Sequence, residues 1–105
     1  FYVAMRDLGQ MNWSSANSQC QSYAFCGNVK GTLPTKDQLL SIYRNKSRVN
    51  TLLSTNGGTK MTENGYWSST ASGSIAYSIV DMSGGDSGWS LMDHESYVRP
   101  VLASW

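Results

Sequence analysis

Gly65-Tyr66-Trp67-Ser68-Ser69-Thr70 and Tyr97-Val98-Arg99-Pro100-Val101 decide how this chain is read. The first is an aromatic run and the second a β-branched one, each bounded by turn residues as strands are. Between them, Ser74 to Met82 alternates Ile75, Tyr77 and Ile79 with Ala76, Ser78 and Val80. That pattern predicts a central strand covered on both faces. Gly84-Gly85-Asp86-Ser87-Gly88 is rich in residues that accept positive φ and predicts a turn. Trp89 to Met92 then returns, Asp93-His94-Glu95-Ser96 turns again, and Tyr97 to Trp105 forms the last strand. Pro100 has no N–H for a ladder, so it belongs at an edge, a bulge or an interruption of that strand.

The preceding residues read as cover for this sheet. Phe1 to Met5 predicts a short strand, placed beside the last one, and Asp7-Leu8-Gly9-Gln10 the turn that ends it. Trp13 to Tyr23 predicts a helix capped by Ser14, with Ala16, Cys20 and Tyr23 on its inner face. Thr35-Lys36-Asp37-Gln38 has the pattern of a capping box, introduced by Pro34 and followed by an apolar stripe with Leu33, Leu39, Leu40 and Tyr43. Arg44, Lys46 and Arg48 read as its solvated basic end. Val49, Leu52 and Leu53 form a small apolar satellite, and Ser54 to Thr59 a surface loop.

With 105 residues there is room for a single domain spanning 1–105. Charged residues are only 14% and balance to +1, with Ser, Thr, Asn and Gly filling the surface. No basic cluster suits phosphate binding, so nucleic acid is not an expected partner. No apolar run reaches the eighteen or so residues of a membrane helix, and the first residues lack the pattern of a signal segment. Direct membrane insertion by this domain is therefore not expected.

The two cysteines, Cys20 and Cys26, stand five residues apart and predict a local disulfide, with two buried thiols the alternative. Nothing gathers them with His94 and carboxylates into a metal site, and neither a metal nor a cofactor is expected. Gly85-Asp86-Ser87-Gly88 repeats the phrase around a serine-protease nucleophile. The only histidine follows that serine, and the chain is too short for the double barrel that the mechanism uses, so the turn reading suffices. Asp81, Asp86, Asp93 and Glu95 lack the ladder of a calcium loop.

Trp13-x-x-Ala16-x-x-x-Cys20, Gly31-Thr32-Leu33-Pro34-Thr35, Tyr66-Trp67-Ser68-Ser69-Thr70 and Tyr97-Val98-Arg99-Pro100-Val101, in this order, resemble the bacterial C-type-lectin-like domains, such as the C-terminal tips of intimin and invasin-type outer-membrane adhesins. The resemblance covers nearly the whole chain. It implies an α+β fold of compact form, without the long calcium loop: two helices packed on an antiparallel sheet with adjacent termini. In that frame Trp67 fills the space between helices and sheet, and Arg99 meets a carboxylate or carbonyls. The sugar-binding triplets of the animal lectins are missing, because only Ala71 to Ser74 separates two strands and Trp89 is followed by Ser90-Leu91. The resemblance also leaves Cys20 and Cys26 as the pair for a bond, since the last strand has no cysteine.

The implied function is non-enzymatic and calcium-independent: recognition of a host-cell surface protein by an adhesin on the bacterial surface. The parent chain would carry immunoglobulin-like domains before this one and an attachment to the outer membrane. A glycan receptor, or a structural cap of a repeat stalk, is the alternative. The expected contacts are Asp86, Trp89, Asp93 and His94, on the argument that turns at one end of a sheet carry binding.

Overall fold

The computed structural model describes residues 1–103, apart from the Cys26 side chain, so the end of the expected last strand at Trp105 lies outside the described residues. In chain order it forms β1 (Tyr2–Val3), β2 (Gly9–Met11), α1 (Trp13–Ser22), β3 (Ala24–Phe25), a 3-10 turn (Cys26–Asn28) and β4 (Val29–Lys30). Then follow α2 (Lys36–Arg44), α3 (Lys46–Thr55), β5 (Gly65–Ala71), β6 (Ala76–Asp81), β7 (Ser87–Leu91), β8 (Ser96–Val98) and β9 (Val101–Leu102). The central sheet runs β2-β8-β5-β6-β7, antiparallel except for the parallel β5–β8 pair. β1 pairs with β9, Tyr2 opposite Leu102 and Val3 opposite Val101, so the two ends of the described chain meet as expected. This is the expected α+β architecture of helices packed on a sheet with adjacent termini.

Successive residues of a strand face opposite sides of a sheet, and Tyr66 and Trp67 divide the interior on that basis. Tyr66 joins Leu39, Ile42, Leu53, Met61, Val80, Met82 and Val101 under α2 and α3. Trp67 joins Ala16, Cys20, Leu33 and Val98 under α1, and its indole N–H donates to the Met11 carbonyl at 2.8 Å. Past Trp67 the β5–β6 register shifts. Ser68, fully buried there, donates to the Ser78 carbonyl (2.7 Å) and accepts from the Thr70 N–H (3.1 Å). Buried backbone groups freed by a bulge need such partners. Ser69 N–H donates to the Pro34 carbonyl (2.8 Å), and Lys36 N–H to the Thr70 hydroxyl (3.0 Å). The Leu-Pro-Thr and Ser-Ser-Thr phrases are thus bonded to each other.

The capping box of α2 forms as expected: Gln38 N–H donates to the Thr35 hydroxyl (3.1 Å), and Thr35 N–H to the Gln38 side-chain Oε1 (2.9 Å). The cap of α1 is Asn12 instead of Ser14, its side chain accepting from Ser15 N–H at 2.9 Å. Trp13 is held by its own N–H to the Met92 carbonyl (3.0 Å) and its indole N–H to the Ser68 carbonyl (2.9 Å), which starts the helix at that residue. Gly9 and Gln10, read as part of a turn, instead pair with β8 in a strand that runs on to Met11.

There are three helices among the described residues where two were expected. The chain turns at Asn45 and continues as α3, because Val49 and Leu53 have the helical spacing to pack on the core. The expected disulfide is not made: Cys20 is a free, buried thiol on the inner face of α1. That face points into the cluster around Trp67, and the chain then leaves α1 through β3 before reaching Cys26. The last strand is broken at Arg99-Pro100 into β8 and β9, where the missing proline N–H requires an interruption.

Two predictions follow from the packing. Gly85 has φ +76°, and a Cβ there would collide with the Tyr43 ring. Gly85→Ala is expected to cost about 1–3 kcal/mol in urea unfolding, through overpacking and left-handed strain. Burial pushes the Cys20 thiol up from 9.0 to about 12 and the Tyr66 phenol up from 10.0 to about 12. Both groups are held neutral by the fold, so their contribution is complete below the unfolded values and lost as pH rises through the folded ones. The melting temperature is expected to fall between about pH 9 and pH 12. Cys20→Ala should remove the part of the fall that begins near pH 9, as measured by thermal denaturation across that range.

Candidate functional site

Trp89 is the most exposed of the large aromatic side chains among the described residues. It lies on β7, at the edge of the central sheet, opposite Ser78, and is 63% exposed. By strand parity it shares a face with Val80 and Tyr66, but the helices that cover those residues do not extend over it. Its indole N–H has no partner among the described residues, so both the ring and its donor are available to a ligand.

The other expected contacts stand at the two ends of β7. Asp86 precedes the strand and is exposed; its main-chain carbonyl accepts from Asp81 N–H at 2.9 Å. Asp93 and His94 follow the strand in the next turn, which is closed by His94 N–H on the Leu91 carbonyl at 3.0 Å. The His94 ring stands 3.5 Å from the Ser90 hydroxyl. At roughly 3.3 Å per residue, Asp86 and Asp93 lie about 20 Å apart. The four residues therefore do not gather at one end of the sheet, as the turn argument expected. They are strung along one edge, with Trp89 in the middle and a carboxylate at each end.

The structure adds residues that the sequence reading did not select. Ile75, 64% exposed, joins Leu91, Met92 and Asp93 around a shallow groove of about 340 Å³ beside the strand. Its place immediately after Ser72-Gly73-Ser74 was the available signal: an apolar residue on a turn, outside the paired stretch that starts at Ala76. A second hollow of about 330 Å³ lies between β1 and α3 and is apolar, with Phe1, Val49 and Leu52 on its wall. A third, of about 560 Å³, is open and polar along Tyr43 to Arg48.

The ion pairs among the described residues are Arg99–Asp7 (2.7 Å), inside the fold, and Lys46–Glu63 (3.1 Å), at the surface. Lys46 also donates to the Met82 carbonyl at 2.8 Å. Asp86, Asp93 and Glu95 are exposed and unpaired by any described cation. Asp81 is held below the usual carboxylate range by the Ser83 N–H and then by the Ser83 hydroxyl, a local turn bond. No three His, Cys, Asp or Glu side chains among the described residues are placed to share a metal ion. What this edge offers is an aromatic anchor, apolar relief and peripheral carboxylates, the elements of a binding surface.

No curated protein matches the chain. The model of one family, the Lcl C-terminal domain, matches residues 4–102, from the residue after β1 to the end of β9. Because that match covers both cores and the whole β7 edge, this chain belongs to the Lcl C-terminal domain family.

Proposed function

We propose that this domain is a recognition module of a bacterial surface adhesin, comparable to the lectin-like tips of intimin and invasin-type proteins. It binds a protein of the host-cell surface, without catalysis and without calcium, while the rest of its chain attaches it to the outer membrane. The observation that carries the reading is Trp89: a large aromatic side chain, 63% exposed, at the middle of a sheet edge. Removing that ring from water on contact with a partner supplies the kind of buried aromatic anchor that dominates binding energy. Ile75 and Leu91 extend the apolar area, while Asp86, Asp93 and His94 supply a polar rim. The bulk of the chain serves to hold this edge rigid, as a binding scaffold does.

A test on cells separates the receptor classes. The purified domain is expected to bind host cells, and protease treatment of the cells is expected to abolish binding where glycosidase treatment does not. The reverse pattern would assign a glycan receptor stacked on the aromatic ring, and binding to neither would favour a structural cap. Trp89→Ala is expected to weaken cell binding by about tenfold or more, the scale of an aromatic hot spot. Because the ring is outside the core, the same variant should keep its unfolding free energy within about 0.5 kcal/mol. Calcium or a chelator is expected to leave the melting temperature and cell binding unchanged, and a calcium-dependent shift in either would refute the calcium-independent reading.

A further inference from the structure

We propose that the outer edge of β7 receives an extended segment of the partner protein, which adds to the sheet as a further antiparallel or parallel strand. This rests on the protein-recognition reading above and specifies its mode. Met92 N–H donates to the Ile75 carbonyl (3.0 Å), and Asp81 N–H to the Asp86 carbonyl (2.9 Å), so the even-numbered residues of this strand bond β6. Ser87, Trp89 and Leu91 therefore aim their N–H groups away from the sheet, and Ser87 and Trp89 their carbonyls too. The Leu91 carbonyl is taken by His94 N–H at 3.0 Å. None of the remaining outward groups has a partner among the described residues.

Sheet edges that must stay unpaired are usually protected by lysine, proline or a bulge. Ser87-Gly88-Trp89-Ser90-Leu91 has no lysine or proline, and its register with β6 is unbroken from Ser87 to Leu91. Gly88 adds no side-chain bulk, with open space where a Cβ would stand. The opposite edge, β2, is only three residues long and begins at Gly9 with φ +107°. The free edge with length and an apolar anchor is thus β7.

Charge selects the occupant. The strand itself is neutral, while Asp86 stands at one end and Asp93 and Glu95 at the other, all exposed and outside ion pairs with described cations. Lys46, which reaches the Met82 carbonyl near the first of these ends, is engaged by Glu63. A second copy paired antiparallel about Trp89 would bring the Asp86 end of each strand to the Asp93 and Glu95 end of the other, twice over by symmetry. Like charges so placed destabilise the pair. The segment that fits is β-branched or apolar at alternate positions beside Trp89 and carries lysine or arginine at both ends. Main-chain bonds then supply affinity, and alternate side chains supply specificity.

The test uses a short synthetic peptide of alternating valine and threonine flanked by lysines, titrated into the isotope-labelled domain. The amide signals of Ser87, Trp89 and Leu91 are expected to move most and to gain protection from hydrogen exchange. N-methylation of the peptide at alternate residues, which removes its donors, is expected to weaken binding by about tenfold or more, as is replacing its lysines with glutamate. Trp89→Pro deletes an outward N–H without taking a bond from β6 and should do the same. The N-methyl peptide on the unaltered domain decides the matter if that variant fails to fold. Absence of peptide binding, shifts centred away from β7, or indifference to N-methylation would overturn edge pairing. Host-cell binding retained in those cases would leave the recognition reading standing, and its loss on protease-treated cells would keep the receptor a protein.

Discussion

The buried ion pair between Arg99 and Asp7 is the constraint on which the rest of the structure depends. Arg99 is fully buried in the segment that interrupts the last strand, and its Nε meets Asp7 at 2.7 Å. Its other nitrogens donate to the carbonyls of Ala4 (2.9 Å), Thr59 (3.0 Å) and Lys60 (3.1 Å). Tyr66 adds its hydroxyl to the same carboxylate at 2.9 and 3.0 Å, while accepting from Thr62 N–H at 2.8 Å. One guanidinium thus joins the first residues, the loop before β5 and the end of the chain. A buried charge is tolerated only when its hydrogen bonds are complete, and no buried side-chain polar atom among the described residues lacks a partner. Lysine could not satisfy this geometry, because only the planar guanidinium presents donors in so many fixed directions.

That knot has consequences at a distance. It fixes where β8 ends and β9 begins, so β9 is free to pair with β1 while β8 stays in the central sheet. It also seats Tyr66, whose neighbour Trp67 must then face α1, and the two residues commit the sheet to a separate core on each side. With the interior filled in this way, both helical layers lie over β5, β8 and the near side of β6. β7 is left at the margin with one neighbour, and its tryptophan in water. The exposure of Trp89 is therefore a product of how the covering helices are spent elsewhere, and it supplies the anchor on which a recognition function is proposed.

Much of the frame was legible in the linear pattern. The Thr35 capping box and the β5 and β6 strands follow from local chemistry that acts within a few residues, the pairing of the first strand with the last was expected from both ends reading as strand, and the role of Arg99 toward a carboxylate and carbonyls was implied by the resemblance. α3 was also present as spacing, in Val49 and Leu53, but polar residues around them obscured a helix whose stability comes from packing. The disulfide failed for a geometric reason: spacing brings two cysteines near in sequence, while the direction of each side chain is set by the element carrying it. Cys20 is directed into the Trp67 cluster.

The candidate site shows the same division. Asp86, Trp89, Asp93 and His94 could be singled out as polar turns and an aromatic on a returning strand, and Trp89 is indeed exposed. Whether they form a cluster or a line was not encoded locally, because that depends on which of their strands is an edge. The sequence by itself determined the β5 and β6 strands, the cap of α2 and the inner face of α1, since these rest on the conformational preferences of short segments. Only the tertiary structure decided that β7 has a single partner, that Ile75 joins its margin and that Tyr66 and Trp67 belong to different cores. Strand order and coverage arise from contacts between residues far apart in the chain, and no local pattern carries that information.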